Sequence, residues 1–223
     1  MTNKYFRCSK LPEWKFRQVL KCYARGETAT RTSGRCNLSL RTVTAIFSRI
    51  RQRLVELSDL EQSRFRGSVQ VDTHYFRVTK KWGLRRDGQA RPTFLGFMDE
   101  HLRVFTVCIS NKSQATLHPL IQEHVESGAR IVSDGWSGFR GLAAIGYPDH
   151  AVVKSCHRTG RWAMSHGVNI TGFWWSFQAR IWKLRGLHQK AFLRHLKEWE
   201  FRWNHQGRDL YRLLMEILRK RPL

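Results

Sequence analysis

The chain has 223 residues, 40 of them Lys or Arg and 17 Asp or Glu, for a formal charge of +23. Hydrophobic residues make up 41%, with 13 Phe and 9 Trp, enough for a real core and against a disordered chain. No run approaches the ~20 apolar residues that cross a bilayer, and the opening MTNKYFRCSK is too polar and basic for a signal peptide.

The five cysteines, at 8, 22, 36, 108 and 156, form no CxxC pair. Reduced thiols in a cytoplasmic setting are expected, and a zinc ribbon is not. A charge balance this basic repels itself unless an anion neutralises it. Arginine is spread along the whole chain, so nucleic acid is the expected anion. A merely solvated basic surface is the bland alternative. The length fits one domain of ordinary size plus a small one.

Residues 1–60 read as helical. LPEWKFRQVLKCYARG carries Leu11, Trp14, Phe16, Val19, Leu20 and Tyr23 near helical spacing, and Arg25-Gly26 reads as its stop. ETATRTSGRC is a second short helix. Asn37 or Ser39 can cap SLRTVTAIFSRIRQRLVEL, where Val43, Ile46, Phe47, Ile50 and Leu54 form an i, i+3, i+4 stripe. The opposite face carries Arg41, Thr44, Ser48 and Arg51. That outline is a helix-turn-helix whose last helix would enter the major groove. Arg41, Thr44 and Arg51 are its candidate contacts to phosphates and base edges. An ordinary three-helix cap with a solvated Arg face is the alternative.

The texture changes at Gly67. GSVQVDTHYFRV alternates apolar and polar and reads as a strand. KKWGLRRDGQAR is a basic, turn-rich loop, in which Lys80, Lys81, Arg85 and Arg86, with Arg91 beyond, either grip phosphate or are simply solvated. PTFLGFMDE and LRVFTVCIS are two more strands. QATLHPLIQEHVES is a helix, ARIVSDGW a short buried strand, SGFRGLAAIG a helical turn and HAVVKS a last strand. From Ile170 onward the pattern is helical, in three segments separated at Gly186 and Gln206-Gly207. The whole predicts an α/β fold with a mixed sheet and helices, preceded by a small all-α domain. Expected boundaries are 1–60 for the helix-turn-helix domain and 65–223 for the sheet domain with its C-terminal helices.

Two acids sit where chemistry is made. Asp72 lies inside VQVDTHYF, where a buried carboxylate is costly unless something pairs with it. Asp134 ends IVSDGW, where an apolar strand gives way to a Gly-containing turn; acids at strand ends in α/β folds face the crevice. Each alone reads as a turn or cap residue. Together, on neighbouring strands of a strongly basic chain, they read as ligands of Mg²⁺, two of which can serve both oxygens of a phosphoryl displacement. Trp174, Phe177, Ile181 and Trp182 are expected in the core; Trp175, off that line, is a base-stacking candidate. Lone histidines such as His74, His157 and His166 are expected neither on metal nor on DNA.

At these residues the chain resembles a bacterial insertion-sequence DDE transposase with an RNase H-like catalytic domain, of the short, Merlin-related group that carries the ISXO2-like transposase domain. VQVDTHYF resembles the first catalytic segment, V-E-x-D-E-x-Y-F, and IVSDGWSGF the second. FLRHLKEWEFRWNH resembles the C-terminal signature L-K-E-x-E-F-R-x-N. Glu198 and Glu200 within it are read as salt-bridge partners for the arginines. The resemblance implies an RNase H-like fold and metal-dependent DNA strand cleavage and transfer at transposon ends. Asp72 and Asp134 would be catalytic and metal-binding, with a two-metal Mg²⁺ or Mn²⁺ site. It further implies double-stranded DNA (transposon ends and target) as partner, a homodimer or higher assembly on DNA, and a cytoplasmic, nucleoid-associated location.

The third segment departs from the pattern. The group shows H-x-N-x-I-E-x-F-W with a Lys seven residues after the Glu. In HGVNITGFWWSFQ the Glu position is Thr171 and the Lys position Gln178, a candidate DNA contact. Gln70 and Thr73 likewise stand where acids are common. Thr171 offers one neutral oxygen to a hard dication, so metal binding should weaken at this degenerate third position. Two changes on one helical face point to relaxed selection or a changed job. The alternative function is therefore an inactive or repurposed transposase that binds DNA, and a third is an unrelated nuclease or nucleic-acid-binding protein of the same fold.

Overall fold

The computed structural model describes residues 3–7, 9–60, 64–76, 93–153, 169–182, 184 and 189–223. In chain order its elements are α1 (Glu13–Ala24), α2 (Ala29–Cys36), α3 (Leu40–Leu60), β1 (Ser68–Tyr75), β2 (Thr93–Asp99), β3 (Val104–Ile109), α4 (Gln114–His124), β4 (Arg130–Ser133), two 3-10 turns (Ser137–Phe139 and Leu142–Ile145), β5 (His150–Val152), α5 (Ile170–Trp182), α6 (Gln189–Asn204) and α7 (Leu210–Lys220). They form two compact units, Met1–Leu60 with Lys190–Leu223, and Glu61–Gln189. Packing thus joins the C-terminal helices to the N-terminal ones, where a sheet domain running to residue 223 was expected. Chain order favoured the nearer neighbour, but Leu214 and Leu218 of α7 are buried with the apolar residues of α1 and α3, and Phe201 of α6 packs against them.

In the helical unit local sequence sets the ends of each helix. Thr28 accepts the Arg31 amide at the start of α2, and Ser39 accepts the Thr42 amide at the start of α3. Asn37 closes α2 in the left-handed region at φ 47°, which Asn tolerates better than most residues. The stripe Val43, Ile46, Phe47, Ile50 and Leu54 is buried against Phe16, Val19, Leu20 and Tyr23 of α1 and Leu214 and Leu218 of α7. Trp14, counted in the apolar stripe, is instead exposed. Cys22 and Cys36 are buried free thiols, and burial pushes Cys22 up to about 11.

The signature helix α6 ties this unit together with charge. Glu198, 1% exposed, accepts Arg51 Nε at 2.7 Å and Arg202 Nε at 2.9 Å. Arg202 also donates to Tyr23 O and Ala24 O, carbonyls of the last turn of α1. Glu200 accepts Lys197 at 3.0 Å and Ser58 at 2.8 Å. Arg194 donates to Gln52 and Ser48 of α3. The glutamates are the salt-bridge partners that the sequence predicts. Arg51, expected on DNA, is committed to a buried ion pair. Arg41 and Thr44 remain exposed on the first turns of α3.

The other unit is an RNase H-like mixed sheet. Strand order is β3-β2-β1-β4-β5. β1, β2 and β3 pair antiparallel, and β4 runs parallel to both β1 and β5. The alternation in β1 sorts its residues. Val69 and Val71 join Phe97, Leu117, Ile121, Ile131 and Phe139 in a core on the α4 side. Gln70, Asp72 and His74 fall on the opposite face, which α5 covers. There Trp174 stacks on His74 at 5.5 Å, and Phe76 meets Trp174 and Phe177. Gly96, directly opposite Asp72 in β2, leaves the room: a methyl there would collide with the Trp174 ring. Trp174, Phe177 and Ile181 are core as expected, whereas Trp182 is exposed, as is Trp175.

Candidate active site: an acid pair on two parallel strands

β1 and β4 are parallel, with Gln70 level with Val132. Asp72 and Asp134, each two residues further on, therefore come level on adjacent strands, Asp72 within β1 and Asp134 just past the end of β4. Both line a cavity of about 90 Å³, together with Gln70, Ser133, Asn169 and Thr171. The structure thus gathers the two acids and the third-segment position, far apart in sequence, at one crevice beyond the carboxyl ends of the strands.

Asp72 is 7% exposed. Burial first, and then the charge of Asp134, push its carboxyl up to about 7; Lys112, the Thr73 backbone and the nearby Trp174 indole pull the other way. Among the described residues the buried indole N–H has no formed hydrogen bond, so its help is weak. Asp134 is half-buried and accepts the Trp136 amide at 3.0 Å. Its neighbour Ser133 shares a hydrogen bond with His150 at 2.8 Å and accepts the Gly135 amide. Gly135 needs φ 77° for this turn, and a side chain there would also meet Val152.

The third wall is the start of α5. Asn169 caps it, accepting the Gly172 amide at 2.9 Å, and Gln70 accepts the Ile170 amide at 3.0 Å. Gln70 therefore steadies the helix that carries Thr171. Asn169 is 2% exposed, and its Nδ2 has no partner among the described residues. Thr171 reaches the cavity with a hydroxyl and no charge. Gln178, expected to touch DNA, is buried, and its Nε2 has no partner among the described residues.

The donor set fits a hard divalent cation. Two carboxyl groups near enough to repel each other, one of them buried, are a site that a dication relieves. Among the described residues no third His, Cys, Asp or Glu completes a cluster. Asp99, the other buried acid of this sheet, accepts the His101 and Arg103 amides and Arg103 Nε in the turn between β2 and β3. Lys80, Lys81, Arg85, Arg86, Arg91, His157 and His166 lie outside the described residues.

Sequence reasoning missed Lys112. It sits between β3 and α4, donates to Thr73 O at 3.3 Å and acts on the Asp72 carboxyl. Nothing in ISNKSQA marks it, since only the fold brings that turn beside β1. Among the described residues it supplies positive charge to the Asp72 carboxyl.

A mixed 3-2-1-4-5 sheet with one acid on each of two adjacent parallel strands fits the RNase H-like fold that the resemblance implies. The ISXO2-like transposase domain model matches residues 64–204, more than half of the chain, and the chain belongs to that family. Over 104 residues it is 29% identical to an uncharacterized transposase-like protein of Haemophilus influenzae, a stretch that covers 46% of this chain and 81% of that relative. The family makes the chain an insertion-sequence transposase with DNA as its partner. No helix among the described residues is long and apolar enough to cross a membrane.

Proposed function

We propose that this transposase cleaves and joins DNA strands at the ends of its element, with Asp72 and Asp134 as the metal-holding catalytic acids. The observation that carries the reading is the convergence of Asp72, Asp134 and Thr171 on one cavity in a chain of this family. Mg²⁺ or Mn²⁺ would be held by the two carboxylates, with Thr171 a neutral third ligand. When bound, such cations stabilise charge on the attacking and leaving oxygens of a phosphoryl displacement. The chain's own groups position the acids: Gly96 admits Trp174 over Asp72, the Asp134 turn is fixed through Trp136, and Lys112 supplies positive charge beside the pair. The helix-turn-helix holds DNA through Arg41 and Thr44. Residues 1–60 act as the DNA-binding domain, in a cytoplasmic homodimer or higher assembly on DNA.

Thr171 favours a second reading, a transposase that still binds its ends but cuts them poorly. Strand cleavage and joining on DNA carrying the element's inverted repeats, with Mg²⁺ or Mn²⁺, separates the two. Activity abolished by Asp72→Ala and by Asp134→Ala supports the enzyme. Silence in the native protein, relieved by Thr171→Glu with Gln178→Lys, supports the impaired site and rejects the enzyme.

A further inference from the structure

Beside the crevice, on residues that do not line its cavity, stands a cluster that the acids do not explain. Tyr75 ends β1, three residues beyond Asp72, and is 42% exposed; Trp136, two residues beyond Asp134, is 49% exposed. Between them stands Lys112, whose Nζ lies 5.7 Å from the centroid of each ring. Large exposed aromatics in a soluble chain mark a surface that meets something. One common cation beside two such rings, at the edge of an acid site, is a more specific arrangement.

These groups are held in place. The Trp136 indole donates to Lys112 O at 3.3 Å, and its backbone amide donates to Asp134. Gly138 packs so closely on that same carbonyl that a side chain there would strike it. Lys112 spends one donor on Thr73 O, and an ammonium carries three. The ring of Trp136 is thus rigid without being covered, which lowers the entropy lost on binding.

Resting on the proposed reaction at Asp72 and Asp134, we propose that Lys112, Tyr75 and Trp136 form a subsite for an unpaired nucleotide of the DNA strand beside the reacting phosphate. Lys112 takes a phosphate oxygen, and the rings stack on the base. A paired base in a duplex hides its faces in the stack, so the subsite selects DNA whose end is frayed or opened. Charge complementarity points to a nucleic-acid occupant: the cluster holds a cation, and the chain carries +23.

The test uses the full chain and two labelled duplexes of the same sequence, one blunt and one with its last three base pairs mismatched. 2-Aminopurine is placed at an unpaired position, and binding is measured by anisotropy in Ca²⁺ or without metal. The native protein should bind the opened end about tenfold more tightly than the blunt one and quench the 2-aminopurine. Trp136→Ala and Tyr75→Ala should each erase most of that preference and the quenching, while Trp136→Phe and Tyr75→Phe keep them. Lys112→Gln should lower the salt dependence on the opened end by about one phosphate contact, and Lys112→Arg should not. Equal affinity for the two ends, or a preference that survives the double Ala variant, overturns the subsite. Blunt-end binding without that preference leaves the proposed function standing, whereas binding of neither end removes both. A single-stranded RNA that displaces the opened DNA at equal concentration overturns the assignment to DNA.

Discussion

The two units each set a pair of acids near each other, and they treat them in opposite ways. In the helical unit Glu198 and Glu200 are met by Arg51, Arg202, Lys197 and Ser58 at 2.7 to 3.0 Å. In the sheet unit Asp72 faces Asp134, and the carboxyl rises to about 7. A buried acid supplied with cations holds structure together. A buried acid set against another acid is held in a costly state, which a site keeps for a bound charge. Acids in one family's motifs can thus divide between scaffold and chemistry, and their neighbours say which is which.

Removing one acid of each pair should have opposite effects on stability. Glu198→Ala strands Arg51 and Arg202 near the core, so it should cost about 3–5 kcal/mol, read by denaturant unfolding. A change below about 1 kcal/mol would mean that the network is only decoration.

Asp72→Asn should stabilise the apo protein at pH 8. The sign follows from the raised pKa. Between about pH 4 and 7 the unfolded chain has released this proton and the folded chain still holds it, so folding stability falls as pH rises through that window. The cost, present in full above pH 7, is of order 4 kcal/mol at most, and Asn removes it. Melting curves from pH 4 to 8 should therefore converge at low pH and separate at high pH. A native melting temperature that does not fall across that window would contradict this account of Asp72.

Gly96→Ala should disturb the acid from the other side. Its new methyl must displace Trp174, an overpacking change that typically costs about 1–3 kcal/mol. Near-ultraviolet dichroism should show the altered indole. An unchanged spectrum and stability would mean that the helix moves aside freely.

The smallest effect separates two arginines of one helix. Arg41→Ala should lower the salt slope of duplex binding by about one phosphate contact. Arg51→Ala should lower stability while the slope stays, since its guanidinium is held by Glu198. The reverse result would return Arg51 to the DNA face.

Much of this was legible in the sequence. Period-two alternation in VQVDTHY gave the strand and put Gln70, Asp72 and His74 on one face, and the five-residue stripe of α3 gave its buried side. Asp134 could be named because a following glycine marks the end of its apolar strand, and Asp72 because a carboxylate inside an apolar strand is costly to bury. What stayed hidden depended on contacts between distant segments. Arg51 and Arg41 look alike on a helical wheel, and only α6 distinguishes them. Lys112 lies in an unremarkable turn until β1 is placed beside it. Gln178 kept a surface reading because a polar residue on an apolar face carries no mark of its burial. Trp14 and Trp182 erred in the other direction, since large apolar rings are read as core whether or not a partner surface reaches them.

The central claim is that Asp72 and Asp134 together hold a divalent cation although Thr171 stands at the third position. Calorimetric titration of Mn²⁺ into the full chain at pH 8 tests it directly. The account predicts saturable binding to the native protein, lost in Asp134→Asn and tightened about tenfold or more in Thr171→Glu. Native protein that binds no Mn²⁺, or binds it equally well after Asp134→Asn, would contradict it.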